Sequence, residues 1–157
     1  MTSTRKAVYA PSPSTAKGSP TAISAFKEDK IVYANGKTVV IRSLTDPAAT
    51  FLYSGHSKEV VSASVAPSGY YVASADVSGT VRIWDATPAL KGTLDEPILK
   101  NEVRALSGRI NDVQWDGESK RLIAVGEGKE SFGSAFTYDS YASAIPARLG
   151  CFTDTSL

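Results

Sequence analysis

Residues 55–85 read GHSKEVVSASVAPSGYYVASADVSGTVRIWD, and the pattern inside this stretch decides the fold. Val60 to Val65, Tyr70 to Ala75 and Thr80 to Trp84 are short runs rich in β-branched, aromatic and small residues. Pro67-Ser68-Gly69 and Ser78-Gly79 punctuate them, so three antiparallel strands joined by tight turns are predicted. The same texture extends outward. Upstream, strands are expected at Lys30 to Ala34, Thr38 to Ile41 and Ala49 to Tyr53; downstream, at Ile110 to Trp115, Arg121 to Val125 and Ser134 to Tyr138. Asn35-Gly36 between two such runs is a hairpin signal, because both central positions of the turn need a positive φ that Asn and Gly tolerate. No helical period runs for ten residues. The segment Asp95 to Leu106 is the least legible, and its Pro97 argues against a long helix. The class is all-β.

Internal similarity selects among all-β architectures. Thr38 to Ser43, Thr80 to Asp85 and Ser134 to Asp139 overlay at spacings of 42 and 54 residues, the excess falling in the Pro-containing stretch Thr87 to Asn101. A loop insertion there costs little. A four-stranded unit of about 42 residues has the size of one propeller blade.

Composition sets the outer bounds. The chain has 157 residues, 42% hydrophobic and 21% charged, which is an ordinary globular balance. Seventeen basic against sixteen acidic side chains give a net charge of +1, so neither nucleic acid nor an anionic membrane is an expected partner. No apolar run approaches a spanning length, the N-terminus lacks the apolar centre of a secretion signal, and Cys151 is the only cysteine. The chain reads as cytosolic. One His and one Cys cannot supply three or four soft ligands, so no metal and no cofactor are expected. The first 20 residues are rich in Pro and Ser and form a poor core, with Arg5 to Ala10 a possible docking strand.

Gly55-His56 followed by Trp84-Asp85 resembles a WD repeat. In such blades a His, a strand Ser or Thr, a turn Asp and the Trp form a buried hydrogen-bonded set. His56, Ser74 and Trp84 match three of the places. The Asp usual before the turn glycine is Ser78 here, which leaves Asp76 either to substitute or to leave the set incomplete. Arg42 and Tyr138 stand in the Trp place of the flanking units, which are degenerate repeats. More closely, the chain resembles the N-terminal part of the actin-interacting protein 1 family over about residues 5 to 140. The strings Tyr33-Ala34-Asn35-Gly36-Lys37, Ala66 to Tyr71, Asp76 to Gly79 and, above all, Val125-Gly126-Glu127-Gly128-Lys129-Glu130-Ser131-Phe132-Gly133 carry that resemblance.

The resemblance implies a partial β-propeller of about three four-stranded blades from a larger ring. The expected parts are an N-terminal segment at 1–22, a degenerate blade at 23–54, a WD blade with a following insertion at 55–100, a degenerate third blade at 101–140, and a divergent tail at 141–157. The tail is expected to reflect a truncation or frameshift, and uncapped blade edges lead one to expect association. The implied partners are actin filaments and cofilin, with no small-molecule substrate. The implied activity is promotion of disassembly of cofilin-decorated filaments in the cytoplasmic actin cytoskeleton, and Glu127, Lys129, Glu130 and Phe132 are the implied protein-facing loop. A generic WD-repeat scaffold for another complex is the alternative. A small hydrolase built on His56, Ser74 and Asp76 is the rival from another class, disfavoured because no Gly-x-Ser-x-Gly elbow is present.

Overall fold

The computed structural model describes residues 9–18, 20–27, 29–92 and 97–138, together with the backbone of 148–152. Three four-stranded antiparallel sheets follow one another along the chain. The first runs β1 (Ile23–Phe26), β2 (Lys30–Asn35), β3 (Thr38–Ser43) and β4 (Thr50–Tyr53). The second has β5 (Val60–Val65), β6 (Tyr71–Asp76), β7 (Thr80–Asp85) and β8 (Leu99–Arg104). The third has β9 (Ile110–Trp115), β10 (Arg121–Gly126), β11 (Gly133–Thr137) and β12 (Arg148–Phe152). In each sheet spatial order equals chain order, so every connection within a sheet is local. This is a meander of the kind propeller blades are made of.

The second sheet buries both faces of its middle strands, which is why their apolar and small residues come in near-continuous runs, whereas β10 of the third sheet exposes Arg121, Ile123 and Val125 on one face. Val32, Val39, Ile41 and Tyr53 of the first sheet pack against Val72 and Trp84 of the second. Ala73, Ala75, Val81 and Ile83, from the other face of that second sheet, pack against Val113, Leu122, Ala124 and Phe136 of the third. Alternation along β6 and β7 thus serves two interfaces at once. The β2–β3 hairpin turns through Gly36-Lys37, with Gly36 at φ +56°; Asn35, expected in the turn, is instead the last residue of β2, opposite Thr38, and keeps a negative φ.

Four elements depart from the sequence expectation. β1 has only four residues, too few for alternation to show. β8 lies at the outer edge and exposes Leu99, Lys100, Glu102 and Arg104, so its composition carries no apolar stripe. One helix, α1 (Thr87–Lys91), interrupts the strands; Pro88 sits in its first turn and Gly92 ends it in a left-handed conformation. Five residues are too few to register as a helical period. β12 pairs with β11 inside the segment read as a divergent tail, from Gly133 opposite Phe152 to Phe136 opposite Arg148. The pairing is one of backbone hydrogen bonds, which leave no motif in the sequence. The candidate docking strand Arg5 to Ala10 lies outside the described residues except for its last two, as do Asp139 and the remainder of the tail.

The register also corrects the alignment of the third unit. Trp84 lies opposite Val72, whereas Phe136, not Tyr138, lies opposite the matching Leu122. Turn bonds give the same answer: Ala86 N–H bonds to the Tyr70 carbonyl just as Tyr138 N–H bonds to that of Lys120. Phe136 and Tyr138 are two apart and face the same side, so periodicity cannot distinguish them.

The buried hydrogen-bonded set and the candidate binding loop

The connection from β4 to β5 carries His56 beneath the β6–β7 turn. Its Nδ1 lies 3.0 Å from Asp76 Oδ2 and its Nε2 lies 2.7 Å from Ser74 Oγ; the Trp84 indole N–H donates to the same Oγ at 3.1 Å. Burial pushes the His56 pKa down, against the opposing pull of Asp76. A neutral imidazole fixes one consistent direction of donation. Trp84 N–H gives to Ser74, the Ser74 hydroxyl gives to Nε2, and Nδ1–H gives to the Asp76 carboxylate.

The second Asp76 oxygen accepts from Ser78 N–H at 2.9 Å, Ser78 Oγ–H at 2.6 Å and Thr80 N–H at 3.2 Å. Burial acts to raise its pKa, but the bonds from Ser78 and His56 outweigh it and hold the carboxyl below its usual value. Asp76 therefore sits one residue before the turn and still reaches His56. Tyr53 of β4 stacks on Trp84 at 4.4 Å between ring centroids and meets His56 edge-on at 6.1 Å, so the set ties the second sheet to the first.

Ser74, His56 and Asp76 thus stand in the bonding order of a hydrolytic triad. The geometry denies them that chemistry. Ser74 is fully buried, its hydroxyl already accepts from Trp84, and neither the cavity beside Ser14 and Arg109 nor the one beside Phe51 and Leu90 is lined by any of the three. No substrate carbonyl could reach the hydroxyl. Among the described residues no group of three His, Cys, Asp or Glu could hold a metal ion. None of the described helices is long and apolar enough to cross a membrane.

In the third sheet the corresponding places are apolar. Backbone bonds from Val77 to Glu59 and from Glu127 to Arg109 fix the correspondence. By it, Leu106 takes the place of His56, Ala124 that of Ser74 and Phe136 that of Trp84, all three buried in one cluster. Dispersion and burial there replace the polar set.

Acid should loosen the second sheet. His56 has a lowered pKa in the folded state, so its contribution is complete above the ordinary value near 6.5 and is lost as pH falls below it. Asp76 adds a second loss below the ordinary carboxylate value near 3.8. The melting temperature is expected to fall between pH 7 and about pH 5, and less so in His56→Gln. Thermal melts across that range check this; identical slopes for the two proteins would contradict it.

The four loop residues sit together. Gly126 N–H bonds to the Phe132 carbonyl at 2.8 Å and closes the base of the β10–β11 loop, with Glu127, Lys129 and Glu130 exposed along it. Phe132 leaves 48% of its surface exposed at the end of the loop. The loop leans on the β8–β9 connection: Glu127 N–H bonds to the Arg109 carbonyl at 2.7 Å and Lys129 N–H to Ser107 Oγ at 2.8 Å. Sequence reasoning singled out neither Ser107 nor Arg109. The available signal was positional, since they stand in the connection that carries His56 one sheet earlier.

The WD domain, G-beta repeat family model matches residues 47–85, which run from β4 through β7. The chain is a WD-repeat protein. The matched repeat takes its first strand from one blade and three from the next, and His56 joins those two blades. An uncharacterized WD repeat-containing protein of Schizosaccharomyces pombe is 48% identical over 141 residues, 89% of this chain and 23% of that protein. WD repeat-containing protein 1 of Gallus gallus, a member of the actin-interacting protein 1 family, is 46% identical over 117 residues, 74% of this chain and 18% of that protein. This WD-repeat chain is therefore of actin-interacting protein 1 type, and it spans about a fifth of the length of these curated relatives. Among solved structures, Sqt1 of Saccharomyces cerevisiae superposes on 84% of the chain, and on 35% of Sqt1 itself, with a TM-score of 0.63. At 13% identity that likeness concerns the WD-propeller fold alone.

Proposed function

We propose that this chain is a non-catalytic recognition module that binds actin filaments decorated with cofilin and promotes their disassembly in the cytoplasm. The observation that carries the reading is the loop of Glu127, Lys129, Glu130 and Phe132, held against a neighbouring connection on a WD-type scaffold of actin-interacting protein 1 type. An exposed aromatic beside charges of both signs is the composition of a protein-binding patch rather than of a pocket for a small molecule. Disassembly then needs no bond-making by the chain. A module that binds the cofilin-altered filament more tightly than the bare one shifts the filament toward the altered state by that difference in affinity.

The coarser reading, a protein-interaction scaffold of the WD-repeat class, stands independently of the filament. Filament length in the presence of cofilin, followed by fluorescence microscopy, separates the two. The chain should shorten filaments faster than cofilin alone, and the double substitution Glu130→Ala with Phe132→Ala should remove most of the gain. Equal shortening with and without the chain would leave only the scaffold.

A further inference from the structure

We propose that Ser107 is the latch that shapes the β10–β11 loop, so that recognition through this loop depends on a residue outside it. The proposal deepens the reading above and rests on it for the identity of the partner. Three of its hydrogen bonds hold the loop in shape. Two are backbone bonds, from Gly126 N–H to the Phe132 carbonyl and from Glu127 N–H to the Arg109 carbonyl, and both lie at its base. The third holds the tip, where Lys129 N–H donates to Ser107 Oγ at 2.8 Å. Ser107 is exposed, so its hydroxyl has no packing duty to explain its presence.

The β8–β9 connection is shaped to bring that hydroxyl in. Gly108 follows Ser107, and a Cβ at Gly108 would overlap the Glu127 carbonyl oxygen, so glycine there lets the two segments touch. On the loop side, a Cβ at Gly128 would overlap the Ser131 carbonyl and would lie 3.6 Å from Ser107 Oγ. A glycine therefore stands on each side of the contact, and the serine hydroxyl bridges the two segments. The energetic consequence is preorganisation. Without the latch, the Lys129 tip must be ordered at the moment of binding, and the partner's affinity is reduced by that ordering cost. One net hydrogen bond corresponds to about a fivefold change in affinity.

The experiment compares the chain with Ser107→Ala and Ser107→Thr by three readouts: amide hydrogen exchange at Lys129, thermal melting, and co-sedimentation with cofilin-decorated filaments. Ser107→Ala should speed exchange at Lys129 and weaken co-sedimentation about fivefold while the melt stays unchanged. Ser107→Thr, which keeps the hydroxyl, should restore both. Unchanged exchange at Lys129 in Ser107→Ala would overturn the latch. Faster exchange with unchanged co-sedimentation would establish the latch and overturn the dependence of recognition on it. If the unsubstituted chain fails to co-sediment, the filament reading falls, and exchange at Lys129 still decides the latch.

Discussion

Trp84→Ala is expected to cost about 3–5 kcal/mol of folding stability, enough to leave the chain largely unfolded at physiological temperature. Three effects act together. The indole is fully buried between the first and second sheets, so its removal opens a cavity beneath Tyr53 and Phe51, which pack against it. Its N–H donor to Ser74 disappears, which leaves a buried hydroxyl that donates to His56 but accepts nothing. The interface between two blades also loses its largest side chain, so the damage is not confined to one sheet. Urea unfolding followed by far-ultraviolet circular dichroism measures the loss. A change below about 1 kcal/mol would mean that the interface between the first two sheets does not form as described.

Asp76→Ala is expected to cost about 3 kcal/mol or more, because it orphans donors on both sides of the carboxylate. Nδ1–H of His56 loses its acceptor, and so do the Ser78 and Thr80 amides that shape the β6–β7 turn. Asp76→Asn should cost less, since the amide oxygen can still accept from one side. The pair of variants tests whether Asp76 has taken over the task that a residue at position 78 would perform in a more regular repeat. Equal stability of Asp76→Ala and the unsubstituted chain would show that the second blade does without that anchor.

The second blade was the most legible part of the sequence because its strands are short runs rich in β-branched and aromatic residues and its turns carry Gly and Pro. Gly55-His56 and Trp84-Asp85 bracket a polar set whose members all have distinctive chemistry. The one ambiguity was where the acid sat, and only the path of the turn resolves it. Asp76 reaches His56 with one oxygen while the other collects the turn amides. The third blade was harder to read. Its longer β10–β11 loop shifts the strand register relative to the second blade by two residues, a displacement to which a period of two is blind. Tyr138 therefore looked like the counterpart of Trp84, and Phe136 is. Outer strands escaped for a different reason: β8 and β12 are recruited by backbone hydrogen bonds at an edge, where side-chain composition is weakly constrained. The candidate loop was visible as a string, but its attachment to Ser107 was not, because residues 22 apart in sequence meet there through one hydroxyl.

The most direct test of the functional account is co-sedimentation of the chain with two filament preparations, bare and cofilin-decorated, at matched actin concentration and increasing amounts of chain. The account predicts that the decorated filaments carry down the chain at lower concentration than the bare ones. Equal pelleting with both preparations would contradict it.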